Sequence, residues 1–176
     1  MQTLPDIIAS DWINTPKPLS LSAMRGKVVV IEAFQMLCPG CVMHGLPLAQ
    51  SIQHNFPKDK VQVLGLHSVF EHHNAMEKHA LEAFAHEYRL TFPIAIDQAV
   101  KPGPLPATMQ AWGLRGTPSL LILAPDGTLV GHYFGQVSEL TVGAQIGAAL
   151  ASSTQPASSR SPLESGCDED GCLHQS

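Results

Sequence analysis

The chain has 176 residues, of which 44% are hydrophobic, so it is long enough to form one domain with a sizeable buried core. Its formal net charge is −5 and its ten Lys and Arg residues do not cluster, which argues against nucleic acid as a partner. No apolar run approaches the roughly 20 residues that span a bilayer, which argues against a membrane protein.

The first predicted elements are two buried strands joined by a helix. Residues 28–34 are apolar on both alternating faces except for Glu32, as is typical of a central strand covered on both sides. Residues 39–55 follow as a helix with apolar positions near the 3.6-residue spacing, and we expect Pro47 to kink it. Residues 61–67 read as a second buried strand.

The middle of the chain predicts a second helix and a loop. Asn74, with Glu77 three residues later, predicts a helix cap, and an apolar stripe continues to about Leu90. Residues 98–106 are rich in proline and glycine and form a loop that leads to a short helix near residues 108–112.

A hairpin is predicted towards the end of the core. A short strand at residues 94–97 comes first in the chain. Residues 119–124 and 128–134 then flank Pro125-Asp126-Gly127, a tight-turn signal, and should pair as antiparallel strands.

A last helix and a tail complete the chain. The helix runs from Ser138 to about Leu150, and its Gly143 and Gly147 would permit close packing on the sheet. From residue 151 to 176 the composition changes to Ser, Pro, Gln and acidic residues, which predicts a flexible C-terminal tail. The order of elements predicts an α/β domain over residues 1–150 with a central mixed β-sheet.

Chemistry concentrates at Cys38-Pro39-Gly40-Cys41, where the first buried strand meets its helix. A cysteine in the first helical turn lies near the positive end of the helix dipole, so we expect the pKa of Cys38 to fall below its usual value. Cys38 would attack a disulfide and Cys41 would resolve the mixed disulfide. The alternative is a structural pair or half a zinc site, which needs two more ligands, and none is adjacent in sequence.

Glu32 is the second candidate for chemistry. Its alternation partners on the strand are apolar, so we expect the carboxyl to point into the interior beneath the cysteines, with a pKa raised by burial. Such a carboxyl could take the proton from Cys41 as it attacks. The alternative is a glutamate at the end of the strand that reaches solvent.

The element order and three motifs resemble the TlpA-like or redoxin branch of the thioredoxin superfamily. The motifs are Glu32 six residues before Cys38, the Cys-x-x-Cys pair itself, and Gly116-Thr117-Pro118 directly before a hairpin strand. The helical insertion at about 68–106 also resembles this branch, and the resemblance covers about residues 12–150. Three positions depart from the pattern: Leu37 replaces the usual Trp, Gly40 leaves the redox potential open, and Pro47 lies about one residue further from Cys41 than in close relatives.

The resemblance implies a thioredoxin-like fold and a thiol–disulfide oxidoreductase. It implies that Glu32 is the proton acceptor and that the bond before Pro118 is cis, although X–Pro bonds are otherwise cis in only about 5–6% of cases. Thr117 would then face the substrate. We expect a disulfide- or dithiol-containing protein and a redox-recycling protein as partners, no cofactor, and a monomer. Residues 1–25 lack the apolar core of a secretion signal, so we expect a cytoplasmic protein, or a periplasmic one if a signal was removed.

The sequence gives weaker support for a functional role of the histidines. A protonated His44, three residues after Cys41, could stabilise a thiolate, although a surface histidine is commoner. His72, His79 and His86 lie seven residues apart, and seven residues rise roughly 10.5 Å on a helix, too far for two of them to share one metal ion. We expect a solvent-facing stripe.

The tail holds a second pair, Cys167 and Cys172, around an acidic run and followed by His174. Three interpretations stay open: a second redox pair, a weak metal site, and no specific role. Acidic neighbours should make these thiols harder to ionise than Cys38.

Two other functions compete with the oxidoreductase. A peroxidase of the peroxiredoxin kind would carry Pro-x-x-x-Thr/Ser-x-x-Cys, but those positions hold Ile31 and Gln35. A metal-carrying protein would combine Cys38 and Cys41 with the tail cysteines or with histidines.

Overall fold

The computed structural model describes residues 2–152, which form six strands and four α-helices. The strands are β1 (Ala9–Ile13), β2 (Val28–Phe34), β3 (Val61–His67), β4 (Ile94–Asp97), β5 (Ser119–Leu123) and β6 (Leu129–Phe134). The helices are α1 (Leu46–Asn55), α2 (Lys78–Glu87), α3 (Ala107–Ala111) and α4 (Glu139–Ser152). Short 3₁₀ turns lie at Ser22–Met24 and His73–Ala75, and a π-helical turn spans Cys41–Gly45 directly before α1.

The strands form one mixed sheet in the order β1-β4-β3-β2-β5-β6. β3 is parallel to both β2 and β4, and β1 is antiparallel to β4. β5 is antiparallel to both of its neighbours, β2 and β6. The predicted mixed sheet is therefore confirmed, with β2 in its interior.

Both faces of β2 are buried, because its side chains alternate between two apolar layers. Val28, Val30 and Phe34 pack with residues of α1, α2 and α4 on one face. Val29 and Ile31 pack on the other face with residues of α3 and of the N-terminal segment. All seven residues of β2 are buried, as expected of a central strand.

Two expectations about helices were wrong in detail, and one strand was not predicted. Asn74 does not cap α2: it lies in a 3₁₀ turn, and Glu77, in an extended conformation, directly precedes the helix. An alanine Cβ at Gly143 or Gly147 would meet nothing within 4 Å, so these glycines do not serve close packing on the sheet. The edge strand β1 was not predicted.

A buried carboxylate ties β4 to α3. Asp97 accepts hydrogen bonds from the N–H groups of Thr108 and Met109 and from the Ser68 hydroxyl. The Ala107 N–H donates to the carbonyl of Gln98 at 2.8 Å, which closes the base of the proline-rich loop. The loop lines a hollow of about 390 Å³ with the turn at His73–Ala75, and neither Cys38 nor Cys41 lines that hollow.

Within residues 2–152, no helix combines the length and the apolar character that crossing a membrane requires.

Candidate active site

The chain leaves β2 through a tight, buried connection. The Cys38 N–H donates to the carbonyl of Gln35 at 3.2 Å, and the side-chain Oε1 of Gln35 accepts from the Phe70 N–H. Gln35 and Met36 are buried, whereas Leu37 is 56% exposed. The connection therefore turns the chain from the sheet interior to the surface within three residues.

Cys38 and Cys41 form a disulfide, and their Cα atoms lie 5.3 Å apart. Cys38 is half-buried, while Cys41 is completely buried. The Cys41 N–H points at Cys38 Sγ, 3.2 Å away. A backbone N–H in this position stabilises negative charge on Cys38 once the disulfide is reduced. Cys38 is therefore the sulfur that another molecule can reach.

The second wall of the site is the loop before β5. The Thr117-Pro118 bond is cis, as the resemblance implied. The Thr117 carbonyl oxygen lies 3.5 Å from Cys38 Sγ. A Cβ at Gly40 would come within 3.2 Å of Pro118 Cδ, so the proline ring packs closely against the turn between the cysteines.

Two hydrogen bonds fix this loop. The Ser119 hydroxyl donates to the Gly116 carbonyl at 2.7 Å, and the Gly135 N–H donates to the Pro118 carbonyl at 2.9 Å. Within the described residues the N–H of Thr117 has no hydrogen-bond partner. An unpaired backbone N–H beside an accessible sulfur can pair with an extended peptide.

Glu32 lies beneath the cysteine turn. Its side chain is 1% exposed, its Oε1 has no hydrogen-bond partner among the described residues, and burial raises its pKa well above the usual value. The carboxyl reaches the underside of the helix, because a Cβ built on Gly45 would overlap Glu32 Oε1. The alternative of a glutamate that reaches solvent is therefore wrong.

The helix after the cysteines is wider than an α-helix. The Cys41–Gly45 turn is π-helical, and the Leu46 N–H donates to the carbonyl of Cys41, five residues back. Pro47 occupies the start of α1. One extra residue between Cys41 and this proline, noted as a departure in the sequence, is thus accommodated as a π turn in place of the simple kink that we expected.

The rim of the site is apolar and carries one guanidinium group. Leu37 and Pro39 are exposed beside Cys38, and Phe134 at the end of β6 is 50% exposed. The Phe134 ring packs against Gly116, and the Arg115 guanidinium carbon lies 5.0 Å from its centre. Sequence reasoning missed Arg115 and Phe134, because only the β5–β6 pairing brings them to this rim.

His67, also missed, is the second buried titratable group on this face of the sheet. It pairs with Phe34 across β2 and β3, and the two ring centres lie 5.3 Å apart. Neither ring nitrogen has a partner among the described residues, and burial lowers the pKa of His67 to about 4. Its only sequence signal was a polar residue at the end of a strand in which Gln62 is the other polar residue.

The remaining candidates lie apart from the sulfurs. His44 is exposed and makes no hydrogen bond or ion pair within residues 2–152. His72, His79 and His86 are exposed, as expected. No three potential metal ligands come together in the described part of the chain. Cys167, Cys172 and His174 lie outside the described residues, so the interpretations of the tail stay predictions.

The chain is similar to a known protein family and to solved structures of thioredoxin-like proteins. Residues 2–132 match the AhpC/TSA family. A crystal structure of a thioredoxin-like superfamily protein is 55% identical, covers 85% of this chain and 97% of its own, and superposes with a TM-score of 0.83. The crystal structure of a thiol-disulfide isomerase from Corynebacterium glutamicum is 43% identical, with coverages of 84% and 96% and a TM-score of 0.81.

A curated relative from Homo sapiens, NHL repeat-containing protein 2, is 26% identical over 129 residues. These residues are 72% of this chain and 16% of that protein, so the chain spans about a sixth of its length.

Proposed function

The chain belongs to the AhpC/TSA family and has a thioredoxin-like fold, and on that premise we propose that it is a thiol–disulfide oxidoreductase acting on other proteins. The 43% identical neighbour named as a thiol-disulfide isomerase supports this class of reaction. The observation that carries the proposal is the asymmetric pair: Cys38 is accessible, Cys41 is fully buried, and a backbone N–H points at Cys38 Sγ.

The reaction follows from that asymmetry. With the pair reduced, the Cys38 thiolate attacks one sulfur of a partner disulfide, forming a mixed disulfide and releasing the other partner sulfur as a thiolate. Cys41 then attacks Cys38 Sγ, which forms the Cys38–Cys41 disulfide and releases the second partner thiolate. Two electrons pass from this chain to the partner, and the same steps in reverse oxidise a partner dithiol.

Glu32 is proposed as the proton acceptor of the second step. A buried thiol must lose its proton to become a nucleophile, and few groups can take a proton inside the core. The carboxyl of Glu32 is buried under the same helical turn, with no competing hydrogen bond on Oε1 among residues 2–152. Its raised pKa brings its proton affinity closer to that of a thiol, which eases the transfer.

A partner would bind as an extended strand across the loop before β5. The free N–H of Thr117 offers a backbone hydrogen bond, and its carbonyl lies beside the reacting sulfur. Leu37, Pro39 and Phe134 would contact apolar side chains on either side of the partner cysteine.

A peroxidase has less support. Its pattern needs a hydroxyl three residues before the reacting cysteine, where this chain has Gln35, a buried side chain whose Oε1 already accepts from the Phe70 N–H. Ile31, where the pattern has proline, is buried in the sheet.

Some expectations remain predictions of the sequence. They are the monomeric state, the redox-recycling partner, the cytoplasmic or periplasmic location, and the three open interpretations of Cys167 and Cys172, one of which is a second redox pair. For the redox-pair interpretation, 14 residues lie between Ser152 and Cys167, and a fully extended chain from one to the other spans roughly 50 Å. α4 is only about 21 Å long, so reach does not exclude the Cys38 site.

Reduction of insulin by dithiothreitol tests the proposal. We expect Cys38→Ser to abolish the acceleration that the protein provides and Cys41→Ser to trap mixed disulfides with the substrate. The double variant Cys167→Ser/Cys172→Ser is the matched control and should keep the core reaction. Activity that survives in Cys38→Ser would refute the mechanism.

A further inference from the structure

Gly45 occupies a position at which its backbone does not require glycine. Its φ of −63° and ψ of −52° are ordinary helical values. In a helix, alanine is favoured over glycine by about 1 kcal/mol, because glycine loses more conformational freedom on folding. The reason for a glycine at this position must therefore lie in the space around it.

That space is filled by two groups of the active site. A Cβ on Gly45 would overlap Oε1 of Glu32, lie 2.8 Å from the Glu32 Cδ, and lie 3.1 Å from the Cβ of Pro118. In contrast, a Cβ on Gly143, also in a helix, would meet nothing within 4 Å. The missing side chain of Gly45 is thus the room that the buried carboxyl occupies.

The wide turn helps to bring this backbone over the carboxyl. The Leu46 N–H bonds to the carbonyl of Cys41, which spreads one extra residue over the turn. Pro47 follows and has no N–H to donate back to the preceding turn, so the normal α-helical pattern is interrupted there in any case. The resolving cysteine and the glycine therefore begin and end the same turn.

We propose that Gly45 is a positioning residue for the resolving step, holding the Glu32 carboxyl under the turn that begins at Cys41. The inference rests on the proposed function and adds to it a residue that acts through the Glu32 carboxyl. Without the gap at Gly45, the carboxyl would have to move away from the helix or the helix would have to rise from the sheet.

The step can be followed with 5,5′-dithiobis(2-nitrobenzoate), which replaces the protein partner. The Cys38 thiolate attacks the reagent, forms a Cys38–thionitrobenzoate disulfide and releases one thionitrobenzoate. Cys41 then gives its proton to the Glu32 carboxylate and attacks Cys38 Sγ. The Cys38–Cys41 bond forms, and a second thionitrobenzoate leaves with the electron pair of the broken bond.

Stopped-flow absorbance separates the two releases for the reduced protein between pH 5 and 9. For Gly45→Ala we expect the first release to change by less than about twofold. The second should slow by about tenfold or more, with a shifted pH midpoint, because general base catalysis depends on the placement of the base. Gly143→Ala, the same substitution in an open helical position, should match the wild type in both releases.

Two further variants show whether Gly45 acts through Glu32. In a Glu32→Ala background, adding Gly45→Ala should cause no further slowing, because the obstructing carboxyl is gone. If Gly45→Ala does not fold, Glu32→Asp shortens the side chain without adding an atom and should slow the second release alone.

Each outcome separates this inference from the proposed function. A wild-type rate and pH profile for the second release in Gly45→Ala, equal slowing with and without Glu32, or a wild-type second release in Glu32→Asp would overturn the role of Gly45. A wild type that completes both releases but does not reduce insulin would instead refute the proposed function and leave this inference standing.

Discussion

Replacing His67 by leucine should change how the stability of the protein depends on pH. The ring is 1% exposed, and neither of its nitrogens has a partner among the described residues, so its protonated form is unfavourable in the folded protein. The pKa of His67 falls from 6.5 to about 4 on burial. As the pH falls from 6.5 to 4, the unfolded chain takes up a proton that the folded protein does not, and the folded protein loses stability.

The size of this loss follows from the two pKa values. Each pH unit between them costs about 1.4 kcal/mol, so the full difference is on the order of 3 kcal/mol, of which about 2 kcal/mol falls between pH 7 and pH 5. His67→Leu removes the titrating group and two unpartnered buried nitrogens. The variant should therefore gain about 2 kcal/mol relative to the wild type on going from pH 7 to pH 5.

Urea unfolding followed by the fluorescence of Trp12 and the buried Trp112 gives the free energy of unfolding at each pH. The difference between variant and wild type must be compared, because Glu32 titrates with the opposite sign and partly masks the effect of His67 in either protein alone. His79→Leu is the matched control, since the side chain of His79 is 79% exposed. A difference between His67→Leu and wild type that is the same at pH 5 and pH 7 would refute the reasoning.

Three other outcomes are expected. Burial raises the pKa of Glu32, so the folded protein keeps a proton that the unfolded chain loses above about pH 4.5, and stability falls as pH rises. In Glu32→Gln, the free energy of unfolding measured with urea should no longer fall with rising pH from this group. An unchanged pH dependence would contradict the burial of an ionisable carboxyl. Phe134→Ala should raise KM for insulin about fivefold and leave the reaction with 5,5′-dithiobis(2-nitrobenzoate) unaltered; equal effects on both would exclude a binding role. If the tail pair is a relay, Cys167→Ser/Cys172→Ser should slow turnover with a physiological dithiol while insulin reduction with dithiothreitol continues, and mass spectrometry of the wild type should find a Cys38–Cys167 peptide.

Hydrophobic patterns in short stretches of the sequence predicted most strands of the sheet, but they did not predict the edge strand β1. β2 and β3 were predictable because a strand buried on both faces is apolar at nearly every position. β1 has two exposed polar residues, Ser10 and Asp11, and its partner β4 lies some eighty residues away, so no short window contains the information. The predicted helix cap at Asn74 was wrong, because a spacing of three residues between Asn74 and Glu77 is equally compatible with a 3₁₀ turn before the helix.

In the candidate site, too, features that belong to short sequence motifs could be predicted, whereas features created only by the fold could not. The close Cys38–Cys41 pair and the burial of Glu32 could be predicted from a local motif, and the cis Thr117-Pro118 bond could be predicted from the family resemblance. Gly45 and His67 were not predicted, because only the fold brings a carboxyl against the first and a phenylalanine ring against the second.

The hydrogen bonds of Asp97 connect β4 to α3 at the base of the proline-rich loop, and this has a practical consequence for protein engineering. The loop leaves and re-enters the domain at one point, where the Ala107 N–H donates to the Gln98 carbonyl. Residues 101–105 are exposed, and neither Cys38 nor Cys41 lines the hollow beside them. An epitope tag or a fluorescent reporter grafted between Lys101 and Leu105 should therefore be carried without loss of disulfide chemistry.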